Sequence, residues 1–180
     1  TVDAAVENVV LTTKNSAATL TDFTGASAGA ATVAIKGGQG FKLDSTKSFA
    51  TATTIDAREA GKAEFAATAT GAITLLTGST DDKITLKKAL AGGDLINLGA
   101  GNDTLVLTAV TNAAATLIGV ENVTLKAAGS AIDMRNADQK AALTFEGGGA
   151  ITATGLASGS TVTSTKAVAA AVNVEFRDSV

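Results

Sequence analysis

Short stretches of alternating apolar and polar residues recur along the whole chain. The stretch Lys83–Leu86, for example, reads Lys-Ile-Thr-Leu. Alternation over a few residues, bounded by Gly, Asn, Asp or Ser, is typical of β-strands with one buried face. We predict strands over Val6–Leu11, Thr32–Ile35, Ala72–Leu76, Lys83–Leu86, Thr104–Leu107, Val120–Leu125, Ala142–Phe145, Ala150–Ala153, Ser160–Thr163 and Ala171–Phe176.

Helical patterns are few and short. A short helix is predicted over Arg58–Ala67, and helical turns are predicted over Ala137–Leu143 and Ala167–Ala171. None combines a periodic apolar face with clear caps, so we expect less than about 15% helix, against roughly a third in a typical domain.

Many short strands, 19 Gly and no Pro predict an all-β solenoid, either a right-handed parallel β-helix or a β-roll-like stack. Small side chains fit its narrow interior and tight corners. A β-sandwich is the alternative, although six Phe with no Trp or Tyr would make a thin sandwich core. We interpret residues 1–180 as a single β-rich domain that is a segment of a larger protein.

Composition excludes several functions. Without His or Cys, the chain lacks a serine–histidine triad, thiol nucleophiles and the usual zinc ligands, so we predict no enzymatic activity. The remaining metal ligands are oxygens, which suit Ca²⁺. A net charge of −3 with scattered basic residues argues against nucleic acid, and no apolar run approaches the roughly 18 residues needed for membrane insertion.

Two internal similarities support stacked coils. Val-Glu-Asn-Val at Val6–Val9 recurs at Val120–Val123, and Ile55-Asp56-Ala57-Arg58 recurs as Ile132-Asp133-Met134-Arg135. The spacings differ, so the chain is not a strict array. We expect the Glu and Asn of the first pair to cap or ladder at a corner.

The strongest chemical signal lies in residues 77–107, where glycine turns precede aspartates. Asp94 and Asp103 are nine residues apart, and an apolar residue follows each Asp by two positions. This spacing follows the nonapeptide calcium pattern Gly-Gly-x-Gly-x-Asp-x-apolar-x, of which Leu98–Val106 is a close copy. Gly37–Gly40 begins similarly, but Lys42 stands where the Asp should be, so we interpret it as a plain turn.

Coil spacing predicts which loops meet. Loops on one edge of such a solenoid are about 18 residues apart. Asp82 and Asp103 are 21 apart, which fits one coil with a three-residue insertion near Leu86–Lys88, whereas the Asp94 loop lies on the opposite edge with Asn112 as its nearest partner. We expect about one good Ca²⁺ site between the Gly78–Asp82 and Gly99–Asp103 loops. The full set of candidate metal-site residues is Gly78, Thr80, Asp82, Gly92, Asp94, Gly99, Gly101 and Asp103.

The run Gly-Ala-Gly-Asn-Asp-Thr-Leu, the segment Ile118–Leu125 and the two Ile-Asp-x-Arg segments resemble the RTX-type surface-layer (S-layer) proteins of Gram-negative bacteria. The resemblance implies a secreted, calcium-bound β-solenoid on the cell surface, which self-assembles with identical subunits into a lattice. A cell-surface polysaccharide is a further implied partner.

Two other functions remain open. The chain could be a binding module, as a segment of an RTX adhesin or the non-catalytic domain of a secreted enzyme, and an exposed threonine ladder would favour that. Alternatively, Asp56/Arg58 and Asp133/Arg135 could belong to a catalytic β-helix. An Asp–Arg pair two residues apart on a strand is more often a surface ion pair.

Overall fold

A computed structural model describes residues 7–21, 32–44, 49–50, 52–69, 71–109, 113–168 and 171–177. The chain forms a β-solenoid of about seven turns, and the described residues contain no helix. The all-β solenoid prediction is confirmed. The strands form three sheets, which we name A, B and C, and all of their pairings are parallel.

Sheets A and B take alternate strands as the chain winds. Sheet A contains β1 (Asn8–Thr12), β3 (Thr32–Lys36), β5 (Thr54–Asp56), β7 (Thr74–Leu76), β9 (Leu95–Asn97) and β11 (Thr116–Ile118). Sheet B contains β2 (Ala18–Leu20), β4 (Phe41–Leu43), β6 (Ala63–Ala67), β8 (Lys83–Leu86), β10 (Thr104–Leu107), β12 (Asn122–Leu125), β14 (Ala142–Phe145) and β16 (Thr161–Ser164). Sheet C contains β13 (Ala131–Asp133), β15 (Ile151–Leu156) and β17 (Val172–Phe176).

The core is a narrow stack of aliphatic columns between the sheets. In sheet A, Ile55, Leu75 and Ile96 stack in register and are fully buried. In sheet B, Ile84 pairs with Leu105, and both are also fully buried. Each inward side chain thus repeats at the same place in the next coil, which removes a continuous apolar stripe from water.

Three phenylalanines fill the first coils. The rings of Phe41 and Phe49 are stacked with centroids 6.4 Å apart, and Phe65 meets Phe49 edge-on at 5.4 Å. Bulky residues are therefore concentrated in one part of the core, and aliphatic side chains fill most of the rest.

The ten predicted strands correspond to observed strands, with boundary differences of a few residues; Val6 lies outside the described residues. The helical predictions at Arg58–Ala67 and Ala137–Leu143 are wrong. Residues 63–67 of the first stretch form β6, and the second is a turn leading into β14. The third stretch, Ala167–Ala171, includes two residues outside the described ones. Sheet pairing overrides the helix preference of Ala and Glu in β6, whose Phe65 faces the core.

The two internal similarities have different structural outcomes. The Ile-Asp-x-Arg copies form the same corner, because in each the Arg backbone N–H and guanidinium donate to the Asp two residues earlier. The Val-Glu-Asn-Val copies are not equivalent, since β1 lies in sheet A and β12 in sheet B. In the described part of the chain, no helix is long and apolar enough to cross a membrane.

Candidate functional site

The two predicted loops stack on each other, as their spacing indicated. Residues 77–82 and 98–103 connect sheet A to sheet B, and the register of Lys83 with Thr104 places Asp82 beside Asp103 in consecutive coils. This 21-residue coil is two residues longer than the coil before it, and both extra residues lie in the corner 87–94, which has eight residues against six in 68–73. It is three residues longer than the coil after it, and there the extra residues lie in the loop 98–103, not near Leu86–Lys88 where the insertion was predicted.

Glycine is required where the loops touch. A Cβ on Gly99 would lie 1.9 Å from the carbonyl oxygen of Gly78, and one on Gly101 would lie 2.8 Å from that of Thr80. Both Gly99 and Gly101 have positive φ angles, at +82° and +141°. The Ala100 N–H donates to the Gly78 carbonyl at 3.0 Å, so backbone contact joins the two loops directly.

A column of acidic side chains lies where these loops enter sheet B. We use carboxylate column for Asp82, Asp103 and Glu121, each of which directly precedes a sheet B strand. The Ala63 N–H donates to Asp82 Oδ1 at 2.7 Å, the Asp82 N–H to Asp103 Oδ1 at 2.7 Å, and the Asp103 N–H to Glu121 Oε2 at 2.8 Å. Each carboxylate therefore accepts a hydrogen bond from the backbone of the previous coil.

Among the described residues, one carboxylate oxygen of Asp82 and one of Asp103 have no hydrogen-bond partner. Asp82 Oδ2 and Asp103 Oδ2 are buried, and neither has a hydrogen-bond donor among the described residues. The whole residues are 2% and 0% exposed. A buried carboxylate oxygen without a partner is costly, since desolvation is not compensated.

Burial and the neighbouring negative charges change the pKa of Asp103 in the carboxylate column. Burial raises the pKa of Asp103 from 3.8 to about 6, opposed by the hydrogen bond from the Asp82 backbone and reinforced by the negative charges of Asp82, Glu121 and Asp81. The site thus has an excess of negative charge and two buried acceptor oxygens without protein donors. A cation would relieve both.

Asp94 has a different environment. Its carboxylate accepts from the Ile73 N–H at 2.9 Å, the Ala91 N–H at 2.8 Å and the Lys88 ammonium at 2.6 Å. The longer 87–94 corner thus provides Asp94 with a cation of its own. A Cβ on Gly92 would meet no atom within 4 Å and one on Gly93 would lie 3.4 Å from the Ala72 Cβ, so close backbone approach does not require glycine in this loop. Asn112 lies outside the described residues.

Carboxylate groups alone do not form a metal cage. Among the described residues, no three His, Cys, Asp or Glu side chains are grouped to hold a metal ion. A cation at Asp82 and Asp103 would need carbonyl, hydroxyl or water oxygens as well, and this is the mixed oxygen set that Ca²⁺ accepts. Thr80 lies in the same loop, and its hydroxyl donates to Asp82 Oδ1 at 3.1 Å.

Glu121 was not among the predicted site residues, although its position was signalled by the Val-Glu-Asn-Val repeat. Its carboxylate continues the column and also accepts from the Gln139 amide. The neighbouring Asn122 amide donates to Asn102 Oδ1 at 2.9 Å and to the Asp103 carbonyl at 3.0 Å. The corner role expected for Glu and Asn is confirmed for this copy.

Comparisons with protein-family models, curated proteins and solved structures find no match for this chain.

Proposed function

We propose that this chain is a non-enzymatic structural segment of a calcium-binding bacterial surface protein, of the S-layer type, whose coils are stabilised by Ca²⁺ between Asp82 and Asp103. The pair of buried, unpartnered carboxylate oxygens in consecutive coils is the observation that supports this most directly.

Ca²⁺ would supply positive charge at this corner. Asp82 and Asp103 would hold it through their free oxygens, while their Oδ1 atoms keep the hydrogen bonds to the preceding coil. The stacked glycines, Gly78 and Gly99, keep the two loops close enough for both carboxylates to act together. Because ion binding would join adjacent coils, it would stabilise the whole solenoid.

Lateral assembly is supported by an uncharged stretch on the outer face of sheet A. The outward residues of β7, β9 and β11 carry no charge: Thr74, Leu76, Leu95, Asn97, Thr116 and Ile118. Ion pairs lie on earlier coils of both sheets, at Asp56–Arg58 beside sheet A and at Lys42–Glu64 on sheet B. An uncharged, partly apolar sheet face is the better candidate for contact with an identical subunit in a lattice.

A binding module is the second candidate, and the register of sheet B favours it. Thr124, Thr144 and Thr163 stack in one outward row, with Thr85 two strands before Thr124 and Val106 between them. The parallel register of consecutive coils, rather than a spacing along the chain, forms this threonine ladder. A flat hydroxyl row of this kind suits an adhesin segment.

The calcium proposal is tested by thermal unfolding of the chain with Ca²⁺ or with a chelator. Binding to the folded state adds about 2.7 kcal/mol at a hundredfold excess over Kd. We expect Asp82→Ala and Asp103→Ala each to abolish most of the calcium-dependent rise in Tm. Asp94→Ala is the matched control, because it should lower Tm in both conditions yet keep the rise. A wild-type Tm that is unchanged by millimolar Ca²⁺ would refute the site.

Assembly is tested separately, by electron microscopy and light scattering of the parent protein, by which we mean the larger protein of which this chain is proposed to be a segment. We expect ordered sheets in Ca²⁺ and their dissolution on chelation. The substitution Leu95→Glu, in the middle of this uncharged stretch, should prevent sheets without altering calcium binding. A parent protein that stays monomeric in Ca²⁺ would favour the binding-module role.

A further inference from the structure

A polar cleft of about 600 Å³ lies on the outer face of sheet C, away from the carboxylate column. Its described lining consists of Asp133, Arg135, Thr152, Thr154, Gly155 and Glu175. Every side chain in this set is charged or carries a hydroxyl group, apart from glycine. The cleft therefore presents several hydrogen-bonding groups within one concave surface.

Arg135 is held rigidly at one side of the cleft. Its backbone N–H donates to Asp133 Oδ1 at 3.0 Å, and its Nε donates to Asp133 Oδ2 at 2.8 Å. The Asp133 side chain is 6% exposed, whereas that of Arg135 is 69% exposed. The buried carboxylate thus fixes the guanidinium, whose remaining N–H groups face outward at little further cost in side-chain entropy.

A β-bulge shapes the other side. Ala153 pairs with Val174 and Leu156 with Phe176, so Thr154 and Gly155 together lie opposite Glu175. Gly155 has a φ of +65°, and a Cβ there would lie 2.7 Å from the Arg135 backbone nitrogen. Bulges of this kind redirect side chains and are frequent beside functional sites.

Arg177 connects the two sides. Its guanidinium donates to the carbonyl oxygens of Arg135 and Ala137, both at 2.9 Å. Because Arg177 follows β17 directly, these bonds fix the end of that strand, and with it Glu175, relative to Arg135. The donor and acceptor sides of the cleft are therefore held at a set separation.

The related corner in sheet A has the same ion pair in a different setting. The Arg58 guanidinium binds Asp56 with Nε–Oδ1 at 3.0 Å and Nη2–Oδ2 at 2.7 Å. There, Asp56 pairs in register with Leu76, whereas Asp133 pairs with Thr154. The ion pair alone thus does not create a polar cleft. The hydroxyl neighbours, the bulge and Glu175 distinguish the sheet C copy.

We propose that this cleft binds a neutral glycan through pairs of adjacent hydroxyl groups. A sugar hydroxyl both donates and accepts hydrogen bonds. The cleft offers both kinds of partner, because the Arg135 guanidinium donates, the Glu175 carboxylate accepts, and the threonine hydroxyls can do either. Asp133 and Arg135 neutralise each other, and the Arg177 guanidinium at the Arg135 carbonyl balances Glu175, so the cleft has no net charge to attract an acidic sugar. The site is independent of the calcium proposal, since none of its residues belongs to the 77–107 loops.

The test is an NMR titration of the ¹⁵N-labelled 180-residue chain with maltohexaose, cellohexaose, mannohexaose and, as the acidic comparison, hexagalacturonate. We expect at least one neutral hexasaccharide to shift the amide signals of Thr152, Thr154 and Glu175. Loss of a charge-assisted hydrogen bond should weaken binding about tenfold or more in Arg135→Lys and in Glu175→Gln. Arg58→Lys is the matched control and should bind as the wild type does.

Three outcomes would overturn the proposal. The first is the absence of binding by every neutral hexasaccharide at about 10 mM, a concentration that detects even millimolar affinity. The second is tighter binding of the acidic hexasaccharide. The third is an equal loss in Arg58→Lys, which would place the interaction outside the cleft. Glu175 lies on an edge strand with its side chain exposed, so Glu175→Gln remains informative if Arg135→Lys disturbs the corner.

Discussion

Replacing Asp103 by Asn separates the cost of burying its charge from its role in holding the coils together. The amide retains an oxygen that can accept from the Asp82 N–H, as Asp103 Oδ1 does at 2.7 Å, but it removes the negative charge. Asn also offers N–H donors toward the neighbouring carboxylates. Without Ca²⁺, the substitution should therefore stabilise the fold at neutral pH.

The raised pKa of Asp103 sets the size of the stabilisation expected for Asp103→Asn. Burial raises it from 3.8 in the unfolded chain to about 6 in the folded protein, and the difference corresponds to about 3 kcal/mol of lost stability when the group is ionised. Since the folded state binds the proton more tightly, this stability is present below pH 3.8 and is lost as the pH rises through 6. Asp103→Asn should thus gain at most about 3 kcal/mol at pH 7.5 and almost nothing at pH 3.8 or below.

Two other carboxyl groups shift in the opposite direction. Hydrogen bonds from Arg58 and Arg135 lower the pKa values of Asp56 and Asp133, so their contributions are lost only below about pH 3.8. Asp56 and Asp133 therefore contribute little to the change in stability between pH 3.8 and 6, where Asp103 is expected to act.

The assay is urea unfolding of wild type and Asp103→Asn between pH 3.8 and 7.5, in a chelator and in saturating Ca²⁺. In the chelator, the wild type should lose stability relative to the variant as the pH rises. In Ca²⁺, the order at pH 7.5 should reverse, because the wild type alone gains the ion. A variant no more stable than the wild type at pH 7.5 without Ca²⁺ would show that the buried charge carries no such cost.

Three further predictions concern the framework. Gly99→Ala should lower the free energy of unfolding by more than about 1 kcal/mol, because its Cβ would lie 1.9 Å from the Gly78 carbonyl oxygen. Gly92→Ala is the control and should change the free energy of unfolding little. Equal effects of the two substitutions in urea unfolding would contradict the loop stacking. Leu105→Ala, in the fully buried column, should cost about 2–5 kcal/mol, and a cost as small as that of Val10→Ala, at a position 61% exposed, would refute the assigned core. Lys88→Met should lower the free energy of unfolding by about 3–5 kcal/mol, because it leaves the buried Asp94 charge without its ammonium partner. The double variant with Asp94→Asn should recover part of that stability. If calorimetry shows no recovery, the result would argue against the ion pair.

The sequence by itself determined the strand class and the strands of four or more residues apart from β6, whose Ala-Glu-Phe-Ala-Ala does not alternate and was predicted as helix. Alternation is visible where a strand has four or more residues, so β8, β10 and β14 were predicted with their observed bounds. The stacking of Asp82 with Asp103 was also predictable, because coil length in a solenoid is read directly from the spacing of equivalent loops.

Tertiary structure decided the remaining strands and the chemistry of each aspartate. A three-residue strand such as β9 has a single central inward side chain, which cannot display a period, and its pairing with β7 and β11 creates it. Similarly, Asp94 and Asp103 follow nearly the same local pattern, but the folded 87–94 corner brings Lys88 to Asp94, whereas one Asp103 oxygen has no partner among the described residues. The sheet C cleft depends on the bulge at Gly155 and on residues about 20 positions apart in the chain, so contacts between coils, rather than any local motif, produce it.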